Sequence, residues 1–223
     1  MNTVPQIVRE IESTMRKQYN ESNLNDDLSF IVSLQKFVYG LASKSAGEQE
    51  ILREAARFIF HTFGFKEIAI SLRSPIDGKF RYETFLGLAR EVEKGYKSLA
   101  YDYETVFDDN TYPGAKLSKF TELMFAELEA YDEGEEKTFN RPSMLNESRK
   151  SINDMLEGDY YAVYLYGPAD DIFGWLELSS TRDGKFPPIK TIRQLELFST
   201  VISLILYQWR GAPSKVGQNP RVK

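Results

Sequence analysis

Cysteine is absent from this chain of 223 residues, and histidine occurs once, as His61. The first absence removes disulfides, thiol nucleophiles, iron–sulfur ligation and every cysteine-containing zinc site. The second removes two-histidine metal sites and most acid–base schemes built on imidazole. Long hydrophobic runs are missing too: no 18 consecutive residues are apolar, so no membrane span is expected. The N-terminus mixes Glu10 and Glu12 with its bases and has no apolar h-region, which argues against a signal peptide and for a soluble, cytoplasmic protein. Positive charge is not in excess. Twenty-eight bases against 33 acids leave a net charge of −5, the opposite of what a dedicated nucleic-acid binder needs. No Gly-x-x-x-x-Gly-Lys loop and no Gly-x-Gly-x-x-Gly turn is present to cradle a phosphate.

What is there is an ordinary globular composition, 42% apolar and 27% charged. At this length about 70% of the extended chain's surface can be buried, enough for a substantial core. Residues 1–25 read as an N-terminal segment, with a short helix from Val4 to Lys17 and a connector at Tyr19–Asn25. Asn25 or Asp26 then caps a helix running to Ser43, with Leu28, Ile31, Leu34, Val38 and Leu41 at helical spacing. A second helix spans Gly47 to Phe63, burying Leu52, Ala55, Ala56, Ile59 and Phe63 on one face and carrying His61 on the other; Gly64 stops it. The period then falls from 3.6 to 2. Ile68, Ile70 and Leu72 alternate with Ala69, Ser71 and Arg73, and a turn with Gly78 at positive φ leads to the strand Phe80–Leu86.

Residues 88–159 are patterned less clearly. Leu99–Phe107 reads as an aromatic strand, Lys116–Tyr131 as a helix, and Asn146–Leu156 as a short helix. Between Thr121 and Glu136 stand seven acids and no base, a run that ordinarily forms a solvated face. Asp108-Asp109 and Asp170-Asp171 read as turn formers rather than cation ligands. Ser33-Leu34-Gln35-Lys36 lacks the partner motifs that would make it catalytic. Order returns with the strands Tyr160–Tyr166 and Phe173–Ser180. The Pro187-Pro188 pair then opens a helix from Ile189 to Trp209. That helix has one stripe of Leu195, Phe198, Ile202, Ile205, Leu206 and Trp209, and a second of Leu197, Val201 and Leu204. A helix on a sheet needs only one stripe. The second is expected to meet another helix, from the N-terminal region or from a second subunit of a homodimer. Residues 211–223 carry no core formers and read as a disordered tail, which leaves 26–210 as a single domain. The expected class is α+β: a central antiparallel sheet of about five or six strands with the N- and C-terminal helices packed on one face.

At Tyr160-Tyr161-Ala162-Val163-Tyr164-Leu165-Tyr166, followed by Ile172-Phe173-Gly174-Trp175-Leu176-Glu177-Leu178-Ser179-Ser180, Gly184-Lys185-Phe186 and the closing helix, the chain resembles the GAF domains. These are PAS-related small-molecule sensor modules of signalling proteins. The stretch 51–87 is similar to their opening helix and first hairpin, and the resemblance spans roughly 50–208. It implies a sensory or regulatory role with no catalysis. The departures narrow it further. The Asn-Lys…Phe…Asp-Glu signature of cyclic-nucleotide binders cannot be laid on Lys119-Phe120 or Phe125-Ala126-Glu127. Methionine sulfoxide reductases of this type and bilin attachment within the domain both require cysteine. Haem needs an axial ligand, which His61 is poorly placed to supply. What remains is an apolar or aromatic ligand bound noncovalently, or no ligand, and no cofactor is expected.

Thirteen tyrosines and 15 phenylalanines bear on that choice, because they concentrate at 80–107 and 160–175. Tyr82, Tyr101, Tyr103, Tyr160, Tyr164 and Tyr166 fall on or near predicted strands; a buried tyrosine needs a partner for its hydroxyl, so several of them on one sheet face suit a pocket for a planar ligand. The alternative, and the commoner arrangement, is a thick aromatic core with hydroxyls at its rim. Arg141 and Asn146, flanking Pro142, sit where the resemblance implies a pocket cover, within reach of an anionic ligand, though a structural role is again the commoner one. The leading expectation is a sensor that binds a small molecule through Tyr82, Tyr103, Arg141, Asn146 and Tyr164. It would signal through a partner protein or through a homodimer held by Leu197, Val201 and Leu204. An interaction protein with a filled pocket and an enzyme working with carboxylates and tyrosine alone are the competing readings.

Overall fold

The structure, a computed structural model, describes residues 11, 13–15, 24–44, 46–108, 110–128, 135–145 and 147–210. Two compact units make up the chain, Met1–Lys44 and Ser45–Lys223. In the first, helix α1 (Leu24–Lys44) is within two residues of the expected bounds. The expected helix Val4–Lys17 lies largely outside the described residues, as does the tail 211–223; residues 11 and 13–15 are helical.

In the second unit, helix α2 (Glu48–Phe63) is followed by strands β1 (Phe65–Arg73) and β2 (Phe80–Leu86). Gly78 takes φ 75° in the turn between them, donating its N–H to the Ser74 carbonyl oxygen at 3.0 Å. Helices α3 (Arg90–Ser98) and α4 (Tyr103–Val106) come next. They precede β3 (Gly114–Lys116), β4 (Thr121–Met124) and two 3-10 turns at Glu135–Thr138 and Pro142–Met144. Strands β5 (Tyr160–Tyr166) and β6 (Ile172–Thr181) and the closing helix α5 (Ile189–Arg210) complete the unit. The six strands form one sheet in the order β2-β1-β6-β5-β4-β3, every neighbouring pair antiparallel. An α+β sandwich with an antiparallel sheet is therefore the architecture.

One sheet face is a conventional core. Ile68, Ile70 and Leu72 of β1 lie in register with Leu178, Leu176 and Gly174 of β6, and Val163 and Leu165 of β5 continue the rows. The leucines, isoleucines and Val163 are 0–1% exposed. Helix α2 lies over β1 and β2, α5 lies over β5, and the two helices touch each other. Phe58 stacks on Phe198 with centroids 4.5 Å apart and planes 10° from parallel. At one end Arg210 donates through Nε to Glu48 Oε2 at 2.5 Å, joining the last turn of α5 to the first turn of α2. The pair also opposes each helix dipole at the correct end. Of the first stripe of α5, Leu195, Phe198, Ile202 and Leu206 are fully covered, whereas Trp209 is 51% exposed. Leu197 and Leu204 of the second stripe are also exposed.

Three expectations in the middle of the chain are overturned. Leu99–Phe107 is not a strand: only a bridge from Tyr101 to Phe80 is extended, and Tyr103–Val106 is helical. The described part of the expected helix Lys116–Tyr131, residues 116–128, is not helical. Its apolar spacing is helical, but β5 needs a partner for its outer edge, and Thr121–Met124 supply it with all four side chains buried. Ser118 fixes the preceding turn, its Oγ accepting the N–H groups of Phe120 at 2.9 Å and Thr121 at 3.2 Å. The described part of Asn146–Leu156 is a series of turns, pinned where Met155 donates its N–H to the Gly184 carbonyl oxygen at 2.9 Å.

Candidate functional site

The other face of the sheet is aromatic and partly hollow. Strand register explains why. Across β2, β1, β6, β5 and β4 one row reads Phe85, Ala69, Glu177, Ala162 and Glu122. The next row reads Tyr82, Ser71, Trp175 and Tyr164. The two alanines beside Glu177 are shorter than every neighbour, so the floor sinks around that carboxylate. Tyrosine and tryptophan rise along its border. Above the floor lie α3, the chain from Leu99 to Tyr112 and the turn Glu135–Phe139. Between floor and cover lies a cavity of about 70 Å³ that opens to solvent.

The cover begins at α3, well ahead of the stretch around Pro142 where it is expected. Its glycine, Gly95, lies so close to the 135–138 turn that a Cβ there would stand 2.6 Å from the Lys137 carbonyl oxygen. No larger residue allows that approach. From this seat α3 drops Tyr96 into the cavity, where its ring centroid comes 4.6 Å from that of Tyr82.

Two carboxylates each receive a pair of tyrosine hydroxyls, and a third receives one. Glu177 accepts from Tyr96 at 2.5 Å through one oxygen and from Tyr82 through the other. Glu135, 7% exposed, accepts from Tyr101 at 2.7 Å and from Tyr112 at 2.8 Å. Glu122, 6% exposed, accepts from Tyr164 at 2.6 Å. Burial raises the pKa of Glu177 above the ordinary glutamate range, and the charge of Glu135 pushes the same way. Hydrogen bonds from Tyr82, Tyr96 and Trp175 pull it back in part. Burial, and then the charge of Glu177, hold the hydroxyls of Tyr82 and Tyr96 well above the usual phenol value. Tyr101 is raised likewise by burial and Glu135. All three therefore remain protonated donors at neutral pH.

Of the residues expected at a site, Tyr82 and Tyr164 line the cavity. Tyr103 does not: it packs beside the cavity on Phe107, centroids 4.6 Å apart, with the Arg73 guanidinium 5.8 Å from its ring. Arg141 faces elsewhere. Its Nε donates to Glu157 Oε2 at 2.8 Å and its Nη2 to Ser180 Oγ at 3.2 Å, so the guanidinium anchors the Pro142 turn. Asn146 lies outside the described residues. Tyr101 and Tyr160, two more of the tyrosines expected near a pocket, also line the cavity, as do Glu177, Glu135, Tyr96 and Trp175, which the sequence did not single out. A single acid within the apolar strand Trp175–Leu178 was the available signal for Glu177. For Glu135 and Glu122 there was none, because both belong to the acidic run expected to face solvent. Among the described residues no group of three His, Cys, Asp or Glu side chains is placed to hold a metal ion. His61 is exposed, and no described helix is long and apolar enough to cross a membrane.

No protein-family model matches the chain, and no curated protein matches its sequence. Solved structures do match its fold. The GAF domain of a phosphoenolpyruvate-protein phosphotransferase from Coxiella burnetii superposes with a TM-score of 0.53 at 10% identity, over 83% of this chain and 96% of that one. The GAF domain/HD domain protein from Geobacter sulfurreducens gives a TM-score of 0.50 at 9% identity, over 74% and 95%. A domain of a two-component sensor histidine kinase protein from Sinorhizobium meliloti gives 0.51 at 8% identity, over 74% and 94%. With its antiparallel sheet, paired helices on one face and covered aromatic hollow on the other, the second unit has the fold of a GAF domain.

Proposed function

We propose that this chain is a sensory or regulatory domain that binds a small molecule noncovalently in the covered hollow and has no catalytic activity of its own. The cavity between Glu177 on the sheet and Glu135 on the cover is the observation that carries this reading. Its walls come from elements far apart in sequence, so an occupant touching both sides changes how α3 and the Leu99–Tyr112 segment seat on the sheet. The histidine kinase domain that shares the fold belongs to a sensor, and the same class is carried over here as a proposal. Output passes to a partner protein or through a homodimer, in which Leu197, Val201 and Leu204 of α5 meet a second copy. The cytoplasm is its proposed location.

Thermal unfolding of the purified chain against a library of nucleotides, amino acids and aromatic metabolites tests the reading. A ligand at 100 times its dissociation constant adds about 2.7 kcal/mol of stability, a readily visible shift. Native mass spectrometry of freshly purified protein reports any molecule carried from the cell. A second reading, an interaction protein with a filled hollow, is favoured by one observation: five tyrosine hydroxyls at the hollow are already satisfied internally by Glu122, Glu135 and Glu177. A library without a single stabilising compound selects that reading instead.

A further inference from the structure

Resting on the reading of the hollow as a ligand site, we infer that its occupant is an organic cation: an amine or quaternary ammonium group carried on an apolar or planar body. Among the described lining residues are the aromatic side chains Tyr82, Tyr96, Tyr101, Tyr160, Tyr164 and Trp175 and the carboxylates Glu135 and Glu177, and no lysine, arginine or histidine. Glu177 makes no ion pair with a basic side chain among the described residues; its partners are the neutral hydroxyls of Tyr82 and Tyr96 and the Trp175 indole. Two acidic groups thus share one poorly hydrated space. Their mutual repulsion is relieved by a positive charge between them and worsened by a negative one.

Hydrogen-bonding capacity points the same way. A phenol has a single proton to give, and those of Tyr82, Tyr96, Tyr101 and Tyr112 already go to the two carboxylates. The side chain of Thr138 is likewise committed, to the Glu135 carbonyl oxygen at 2.6 Å. The hollow therefore offers a newcomer chiefly acceptor lone pairs and π-electron density. Phosphates and carboxylates find few donors there. An ammonium group finds what it requires, since aromatic faces attract it through their quadrupoles and formal negative charge stands beside them. The walls suit the apolar body that carries it.

Matched ligands of three charges test this on the full chain. The quaternary pair is choline and its neutral isostere 3,3-dimethylbutan-1-ol; the aromatic set is benzyltrimethylammonium, benzyl alcohol and benzoate. Only two tryptophans exist, Trp175 in the cavity wall and Trp209 exposed on α5, so Trp209→Phe leaves Trp175 as the sole reporter. Fluorescence titration of that variant, checked by calorimetry, is expected to give the cations at least tenfold tighter binding than their neutral counterparts, and no response to benzoate. Glu177→Gln and Glu135→Gln keep the shape and remove one charge each. Either substitution is expected to weaken cation binding tenfold or more while leaving neutral binding within about twofold. Two independent positions keep the test meaningful if one variant folds poorly. Equal or tighter binding of the neutral or anionic members, or cation binding that survives both substitutions, overturns the inference. A library hit that is neutral or anionic, with all these cations silent, overturns it too but leaves the ligand-site reading standing. Silence from both the matched set and the library removes both.

Discussion

Glu177 illustrates how one residue couples stability to the site. Its proton leaves the unfolded chain at the ordinary glutamate value of about 4.5 and leaves the folded chain only at higher pH. Between those values the folded state binds the proton more tightly, so stability falls as pH rises through that window and stays at its lower level above it. The groups facing Glu177 are Tyr82 from β2, Tyr96 from α3, Trp175 from its own strand and Glu135 from the cover. Glu177→Gln removes the titration but preserves an acceptor oxygen. Urea unfolding at pH 5 and pH 8 is expected to show a smaller loss of stability with rising pH in the variant than in the parent. Equal losses would mean that the carboxylate ionises in the folded chain as it does in water.

At the scale of elements, two contacts hold the cover and its support in place. Arg149 joins Glu127 and Asp159, with Nη1 2.9 Å from Asp159 Oδ2 and Nη2 2.7 Å from Glu127 Oε2. Asp159 is fully buried and also accepts the N–H groups of Ala126 and Leu156, so it clamps the end of β4 to the start of β5. Arg149→Met leaves that carboxylate buried without its cation and is expected to cost about 3–5 kcal/mol, read as a lower urea midpoint. Gly95→Ala forces the Lys137 carbonyl away from α3 and is expected to cost about 1–3 kcal/mol. Because the displaced turn carries Glu135, the same variant is expected to raise accessibility of Trp175 to acrylamide, whereas an ordinary helix substitution at exposed Lys94 leaves it unchanged. Element types were legible in the sequence wherever one periodicity was enforced by a single core, as in α2, β1, β5 and α5. They were not legible over 88–159. There Leu117, Phe120, Leu123 and Met124 fit a helical wheel, yet the open edge of β5 recruited Thr121–Met124 as a strand.

At the scale of the whole molecule, the closing helix leaves large apolar side chains exposed. Leu197 and Leu204 stand seven residues apart, 51% and 57% exposed, with Val201 half-buried between them. That is the spacing of a helix–helix seam, and it motivates the proposed dimer. The chain is expected to be dimeric at micromolar concentration by light scattering, and Leu204→Glu to be monomeric with an unchanged circular dichroism spectrum. A monomeric parent would direct the search for output toward a partner of different sequence.

The sequence by itself determined the chemistry this chain lacks, the antiparallel ribbons and the two helices that share a core, because composition and hydrophobic period are local properties. Only the tertiary structure decided where the acids of the 121–136 run point. Glu122 and Glu135 are drawn inward by tyrosine hydroxyls that buried donors cannot leave unpaired. Those hydroxyls come from residues 23 to 42 positions away along the chain, and tertiary packing rather than any local pattern sets the partners. For the same reason Arg141 turns to Glu157 and the hollow forms around Glu177, between two alanines that no linear motif marks as neighbours.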